Sequence, residues 1–308
     1  MISGRMATEA MCGLGGDCRI SVVFSGALGD TILLKPMFDE FRRRLPRCRI
    51  TIVTSASTGK LFEALGWAES AADINLFDHH RWFGDEPRDT PPPWAECDWL
   101  VSGVSNGHDV WARHARRFCP SGRVSFFNPL PKPGDSSHVV TQRCRQLGLT
   151  IELELITADD PLVGWRRSAE RTILIHPGSG GKAKCRPLIQ YVLLARRLRS
   201  QGYETEFILG PVECEQIPVE AQAELAAEFR VVRSDNLLHL AELLRSARVF
   251  YGNDSGVSHL AAALGAPTVA VFISSQPCWW HPIGPRVWIL AARQVLVSSQ
   301  AGMIRSCR

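Results

Sequence analysis

No two cysteines in this 308-residue chain are spaced as CxxC, although ten are scattered between Cys12 and Cys307. No Cys/His cluster has the spacing of a zinc site either. A chain of this length can bury a core without disulfide staples, so reduced thiols in a cytoplasmic protein are the expected state. Long apolar runs are missing too. The most apolar stretch, 260–273, is broken by Gly265, Pro267 and Thr268 and stops short of the ~18 residues of a membrane helix. At most peripheral membrane contact is expected. Residues 1–19 hold no continuous signal-peptide core and read as a flexible leader. Neither sign of charge dominates: 35 Lys+Arg against 31 Asp+Glu leaves +4, too little to call for a nucleic-acid partner. Lysine itself is scarce, with five residues at 35, 60, 132, 182 and 184 in a chain that otherwise uses arginine.

What is present is an ordinary globular composition, 45% hydrophobic and 21% charged, at a length that suggests two domains. Short β-branched runs alternate with amphipathic segments. Strands are expected at 20–25 (ISVVFS), 49–54 (RITIVT), 73–77, 98–102 and 123–127. One helix is expected from Ile32 to Leu45, its apolar positions on a 3.6-residue period, and another at 136–147. The proline-rich stretch 78–96 is a loop or a short lid, and 148–170 reads as a connection. A second series follows: strands at 172–176, 204–209, 248–251 and 268–273, with helices at 188–200, 213–228, 237–246 and 257–264. Such alternation implies parallel sheets, right-handed crossovers and ligand sites at the carboxyl ends of strands.

Four turns after strands could therefore carry chemistry. In His176-Pro177-Gly178-Ser179-Gly180-Gly181-Lys182-Ala183-Lys184, glycines and a serine leave backbone N–H groups free to face an anion, and two of the five lysines sit there. It is not a P-loop, because Lys182 precedes alanine. A plain exposed turn with solvated lysines would have the same look. In Asn253-Asp254-Ser255-Gly256-Val257-Ser258-His259, Asp254 or Ser255 could cap a helix whose N-terminus suits a phosphate; a capped helix with a core histidine is the bland alternative. Glu213, after Gly210-Pro211, could accept hydrogen bonds from ribose hydroxyls or simply be a surface glutamate. Gly26-Ala27-Leu28-Gly29-Asp30 departs from GxGxxG; Asp30 at a helix start is either a capping residue or a general base.

These turns together resemble glycosyltransferase family 9, the bacterial family that includes the lipopolysaccharide heptosyltransferases. The resemblance rests on GALGD at 26–30, HPGSGGKAK at 176–184, LGPVE at 209–213, GNDSGVSHLAAALGAPTVAVF at 252–272 and Pro282-Ile283-Gly284 after Trp279-Trp280. It implies an α/β architecture of two Rossmann-like domains facing a cleft, the glycosyltransferase B fold. The leader would occupy 1–19, an acceptor-binding domain 20–160 and a nucleotide-sugar-binding domain 161–308. By position, Asp30 matches the base and Lys184 the lysine near the donor phosphates, with Ser179, Gly180 and Lys182 in the loop beside them. Glu213 falls where a glutamate holds the nucleoside and Asp254 where an aspartate touches the sugar. Ser255, Gly256 and His259 match the helix start on the diphosphate side. Two departures stand out. Cys185-Arg186-Pro187 replaces a segment in which tryptophan often precedes the proline, and 78–135 shows no close match.

The implied reaction is an inverting glycosyl transfer that needs neither cofactor nor metal, in keeping with the lack of any Asp-x-Asp motif. The donor would be a nucleotide sugar, ADP-linked heptose by family usage. The acceptor would be a hydroxyl of a glycan, a lipid-linked saccharide such as lipopolysaccharide core, or a small molecule. The place would be the cytoplasm, at the inner face of the inner membrane if the acceptor is lipid-linked. A same-family enzyme acting on a natural product or protein, a nucleotide-sugar epimerase or hydrolase, and a non-catalytic binding module stay open as alternatives at this point.

Overall fold

The computed structural model describes residues 13–15, 17–76, 79–84, 91–119, 121–153 and 172–291. The chain divides into two compact units, Met1–Leu153 and Glu154–Arg308. Most of the expected leader, and the expected boundary at 160/161, lie outside the described residues. Among those described, no helix is long and apolar enough to cross a membrane.

The first unit is a five-stranded parallel sheet of order β3-β2-β1-β4-β5. Its strands are β1 (Arg19–Val23), β2 (Arg49–Thr54), β3 (Ser70–Asp73), β4 (Trp99–Ser102) and β5 (Val124–Phe126). The burial of β1 follows from its central place, with Ile20 beside both Ile50 and Trp99 and every residue from Ile20 to Val23 buried, Ser21 included. β3 lies upstream of the expected 73–77, because Asp73 Oδ1 accepts the N–H of Asn75 at 3.0 Å and turns the chain there. The single helix expected from Ile32 is two, α1 (Leu28–Ile32) and α2 (Lys35–Arg44), with Pro36 opening the second. Helices α3 (Ala56–Ala64) and α4 (Val110–Arg117) complete crossovers that the sequence pattern did not suggest, and α5 (Val139–Gln146) closes the unit. Two tryptophans anchor the described parts of the 78–96 stretch to the core. Trp82 and Trp94 are buried with ring centroids 5.0 Å apart, and Trp94 meets Trp111 at 5.6 Å.

The second unit has six parallel strands in the order β11-β10-β9-β6-β7-β8. They are β6 (Thr172–His176), β7 (Glu204–Leu209), β8 (Arg230–Arg233), β9 (Val249–Asn253), β10 (Thr268–Phe272) and β11 (Val287–Ala291). Helices α6 (Leu188–Ser200), α7 (Pro211–Gln216), α8 (Val219–Glu228), α9 (Leu237–Arg245), α10 (Gly256–Ala263) and α11 (Pro277–Trp280) join them. The helix expected across 213–228 is broken at Pro218, which has no N–H to continue it. β9 runs two residues past its expected end: Asn253 pairs with Val271, so Gly252 and Asn253 belong to the strand and not to the turn. Tyr191, Leu194 and Leu198 of α6 pack on Ile173, Phe207 and Val249 to make the core of one face.

Counted from its own first strand, each sheet runs 3-2-1-4-5, and the second adds a sixth strand. The order reverses direction between β1 and β4 in the first sheet and between β6 and β9 in the second. Ligands of doubly wound sheets bind at that switch point, beyond the carboxyl ends of the strands. Asp30 follows β1, the glycine-rich loop follows β6 and Asp254 follows β9.

Candidate active site

In the second unit the buried side chain of Asn253, last in β9, organises the switch point. Its Nδ2 donates to Pro177 O at 2.7 Å and Gly178 O at 3.3 Å, and its Oδ1 accepts from Arg186 N at 3.1 Å and Tyr191 Oη at 2.7 Å. Ser179 Oγ donates to Asp254 O at 2.6 Å, a second tie between the two loops. Arg186, where the resembling family often has tryptophan, sends its guanidinium to Gln190 Oε1 and Ala291 O.

The Asp254 carboxylate is buried, and every neighbour favours its charge. Lys184 Nζ donates to Oδ2 at 2.8 Å, Ser275 Oγ donates to the same oxygen at 2.5 Å, and His259 Nε2 stands 3.7 Å from Oδ1. Burial alone would raise its pKa, but the contacts from His259, Lys184 and Ser275 outweigh it and bring the group down to about 2. Lys184 is 42% exposed at its side chain against 4% for Asp254, so the ammonium is the part of this pair that solvent reaches. Ser255 is the N-cap of α10: its Oγ accepts from Ser258 N at 3.3 Å, and Gly256 begins the helix. Gly180 and Lys182 are exposed on the β6 loop.

Glu213 is not a surface glutamate. It is buried in the first turn of α7, 3.2 Å from His176 Nε2, and its Oε2 accepts Gly210 N at 2.8 Å. Burial pushes this carboxyl up, yet the His176 hydrogen bond and the Gly210 N–H hold it below the usual range. Gly178 is required beside it, since a Cβ there would stand 1.8 Å from Glu213 Oε1.

Asp30 occupies the third position of α1, whose N-cap is Ala27, so it does not cap the helix. Gly26 gives it room, because a Cβ at that glycine would meet the Phe24 ring at 2.3 Å and Asp30 Cβ at 3.0 Å. Behind the aspartate lies Arg143 of α5. Arg143 Nη1 donates to Asp30 O at 3.1 Å, Nη2 to Pro129 O at 2.6 Å, and Nη2 reaches Asp30 Oδ1 at 3.5 Å. The guanidinium faces the Phe24 and Phe127 rings at 5.3 and 5.9 Å. Burial lowers its pKa to about 10 against the opposing pull of Asp30, which leaves it charged at neutral pH.

The sequence-derived candidates thus fall into two groups. Ser179, Lys184, Glu213, Asp254, Ser255, Gly256 and His259 surround the switch point of the second sheet, with Gly180 and Lys182 on the outer part of its loop. Asp30 stands at that of the first. Sequence reasoning missed Arg143 and Ser275 and the roles of Asn253 and His176; the last two lay inside motifs already singled out, the first two did not. An exposed ammonium above main-chain amides and a helix start can meet an anion, and a half-exposed carboxylate can take a proton. Among the described residues, no group of three or more His, Cys, Asp or Glu could hold a metal ion.

Known proteins match the second unit by sequence and both sheets by fold. A family model, glycosyltransferase family 9 (heptosyltransferase), matches residues 144–300, half of the chain and nearly all of the second unit. Lipooligosaccharide heptosyltransferase 2 of Haemophilus influenzae is 26% identical over 140 residues, a stretch that covers 44% of this chain and 38% of that relative. Among solved structures, a glycosyl transferase family 9 protein from Veillonella parvula superposes with a TM-score of 0.66 at 19% identity, covering 89% of this chain and 86% of its own. The Escherichia coli heptosyltransferase WaaC with ADP gives 0.63 at 18% identity, with 92% and 96% covered. The two-sheet α/β fold is therefore shared with these structures.

Proposed function

This chain belongs to glycosyltransferase family 9, and from that premise we propose that it transfers a sugar from a nucleotide-linked donor to an acceptor hydroxyl, with inversion and without a metal. The donor is an ADP-linked heptose and the acceptor a hydroxyl of a lipopolysaccharide-core-like saccharide. The reaction takes place in the cytoplasm, where a lipid-linked acceptor would be met at the inner face of the inner membrane. The observation that carries the reading is the Lys184–Asp254 pair, 2.8 Å apart, which joins the glycine-rich loop to the residue before the α10 N-cap.

In this reading the acceptor oxygen attacks the anomeric carbon while its proton passes to Asp30. The bond from that carbon to the diphosphate breaks, and ADP leaves with the bonding electrons. Charge growing on the departing phosphate is met by Lys184, by main-chain N–H groups of residues 178–181 and by the start of α10, all fixed before the reaction begins. Glu213, held by His176, offers its carboxylate to the ribose. The whole chain comprises the acceptor-binding unit and the donor-binding unit, so the proton acceptor and the leaving-group site come from different halves of the sequence.

The test is a thermal-shift panel of ADP-, GDP-, UDP- and dTDP-linked sugars, followed by calorimetry with ADP on the wild type and Lys184→Ala. A ligand at a hundredfold excess over its Kd stabilises by about 2.7 kcal/mol, so the cognate donor stands clear of the others. An unchanged ADP affinity in Lys184→Ala would remove the lysine from the donor site. A panel in which no nucleotide sugar raises the melting temperature would remove the donor.

A further inference from the structure

We propose that Arg143 is the positioning residue of the transfer reaction, holding Asp30 in place from inside the first unit. This rests on the reading of Asp30 as the base. The main chain of α1 supplies the first reason. A continuing helix would bond Leu34 N to the carbonyl of Asp30, but Leu34 N turns to Thr31 O at 2.9 Å instead. Arg143 Nη1 takes the Asp30 carbonyl at 3.1 Å, so the helix ends on a side chain from α5. The second reason is the fork itself. One guanidinium reaches Asp30 O, Asp30 Oδ1 and Pro129 O, and so locks the base's backbone and carboxylate to the segment after β5. Lysine, with a single nitrogen, has no such geometry.

The third reason is burial. A guanidinium with a side chain 2% exposed is costly to desolvate, and a packed apolar residue of similar size would serve stability as well or better. Two of its three oxygen partners belong to Asp30 and the third is Pro129 O, after β5. The guanidinium lies beside the stacked Phe24 and Phe127 rings and is hydrogen-bonded on both terminal nitrogens, and the carboxylate it touches is 34% exposed. With Oδ1 facing Arg143, the partly exposed carboxylate stays open to solvent, where an acceptor hydroxyl would come.

The experiment uses the full-length chain with ADP-heptose and a heptose-deficient lipopolysaccharide core, read as ADP release. Arg143→Met is expected to lower kcat about 100-fold, since a misplacement near 1 Å costs about that much. Its donor KM and ADP affinity stay within about twofold of wild type, because donor contacts lie in the other unit. Arg143→Lys loses about tenfold in kcat. In the Asp30→Asn background, Arg143→Met removes no more than about a further twofold, as required of a residue that acts through Asp30. A purely structural arginine would instead lower the rate in both backgrounds in step with the melting temperature. If Asp30→Asn is inactive and Arg143→Lys turns over like wild type, this inference fails alone. If wild type releases no ADP above background, or Asp30→Asn matches it, the reading of Asp30 fails and takes the inference with it.

Discussion

In the first unit the cation of the switch-point pair is buried and the carboxylate reaches solvent: Arg143 and Asp30 have side chains 2% and 34% exposed. In the second unit the signs are exchanged, with Asp254 4% and Lys184 42% exposed. Both pairs stand beyond the first strand of sheets with the same order. A buried charge must be held by more than one contact, and each is. Arg143 rests on Asp30 O and Pro129 O, while Asp254 rests on Ser275 Oγ and lies beside His259. The outer member of each pair is then the group that can exchange water for substrate. In the proposed reading, one topological slot yields a proton acceptor or an anion binder, according to which sign the fold has buried.

Substitutions at the outer members break this comparison hardest. Asp30→Asn should lower transfer about 1,000-fold, the scale of a lost general base, with ADP affinity by calorimetry unchanged. Lys184→Met should lower kcat/KM about 100-fold and weaken ADP binding in the same titration, because the leaving group loses a fixed cation. The Arg143 variants described above come next. Asp254→Asn tests the inner carboxylate of the second pair through acid stability. The native group sits at about 2 against an ordinary 3.8, so its stabilising contribution is complete above about pH 4 and is lost as pH falls towards 2. That contribution is about 2 kcal/mol. Urea midpoints measured from pH 7 to pH 2 should fall less steeply for Asp254→Asn than for wild type. The smallest effect is expected at Lys182, which is exposed: Lys182→Ala should leave stability within about 0.5 kcal/mol and ADP affinity nearly unchanged. A large loss there would mean that the two lysines of the loop share the anion.

The sequence pattern located strands and loops well where local chemistry decides them. β2, β6, β7 and α6 occur where β-branched runs or the helical period place them, and the turns that follow strands are the ones that surround the switch points. It failed where one residue overrules a period. Pro218 divides an apparent helix, the Asp73 side chain ends β3 early, and the Leu34 N–H turned to Thr31 O ends α1. The edge strands β8 and β11 were missed, the former being only RVVR with both ends exposed. Site partners far apart in sequence left no local trace. Arg143 stands 113 residues from Asp30, and Ser275 stands 21 beyond Asp254. Nothing in the spelling of Glu213 shows that it turns inward to His176.

Asn253 uses both polar atoms of its amide, each twice, and so joins the β6 loop, the start of α6 and the end of β9 through one side chain. In the proposed reading, a nucleotide arriving there meets a loop already tied down, and little chain entropy is given up on capture. Exchanging the Asn253 amide for a carboxylate would set like charges against two carbonyl oxygens and release that loop, turning a rigid receptor into one that must be ordered anew by each ligand.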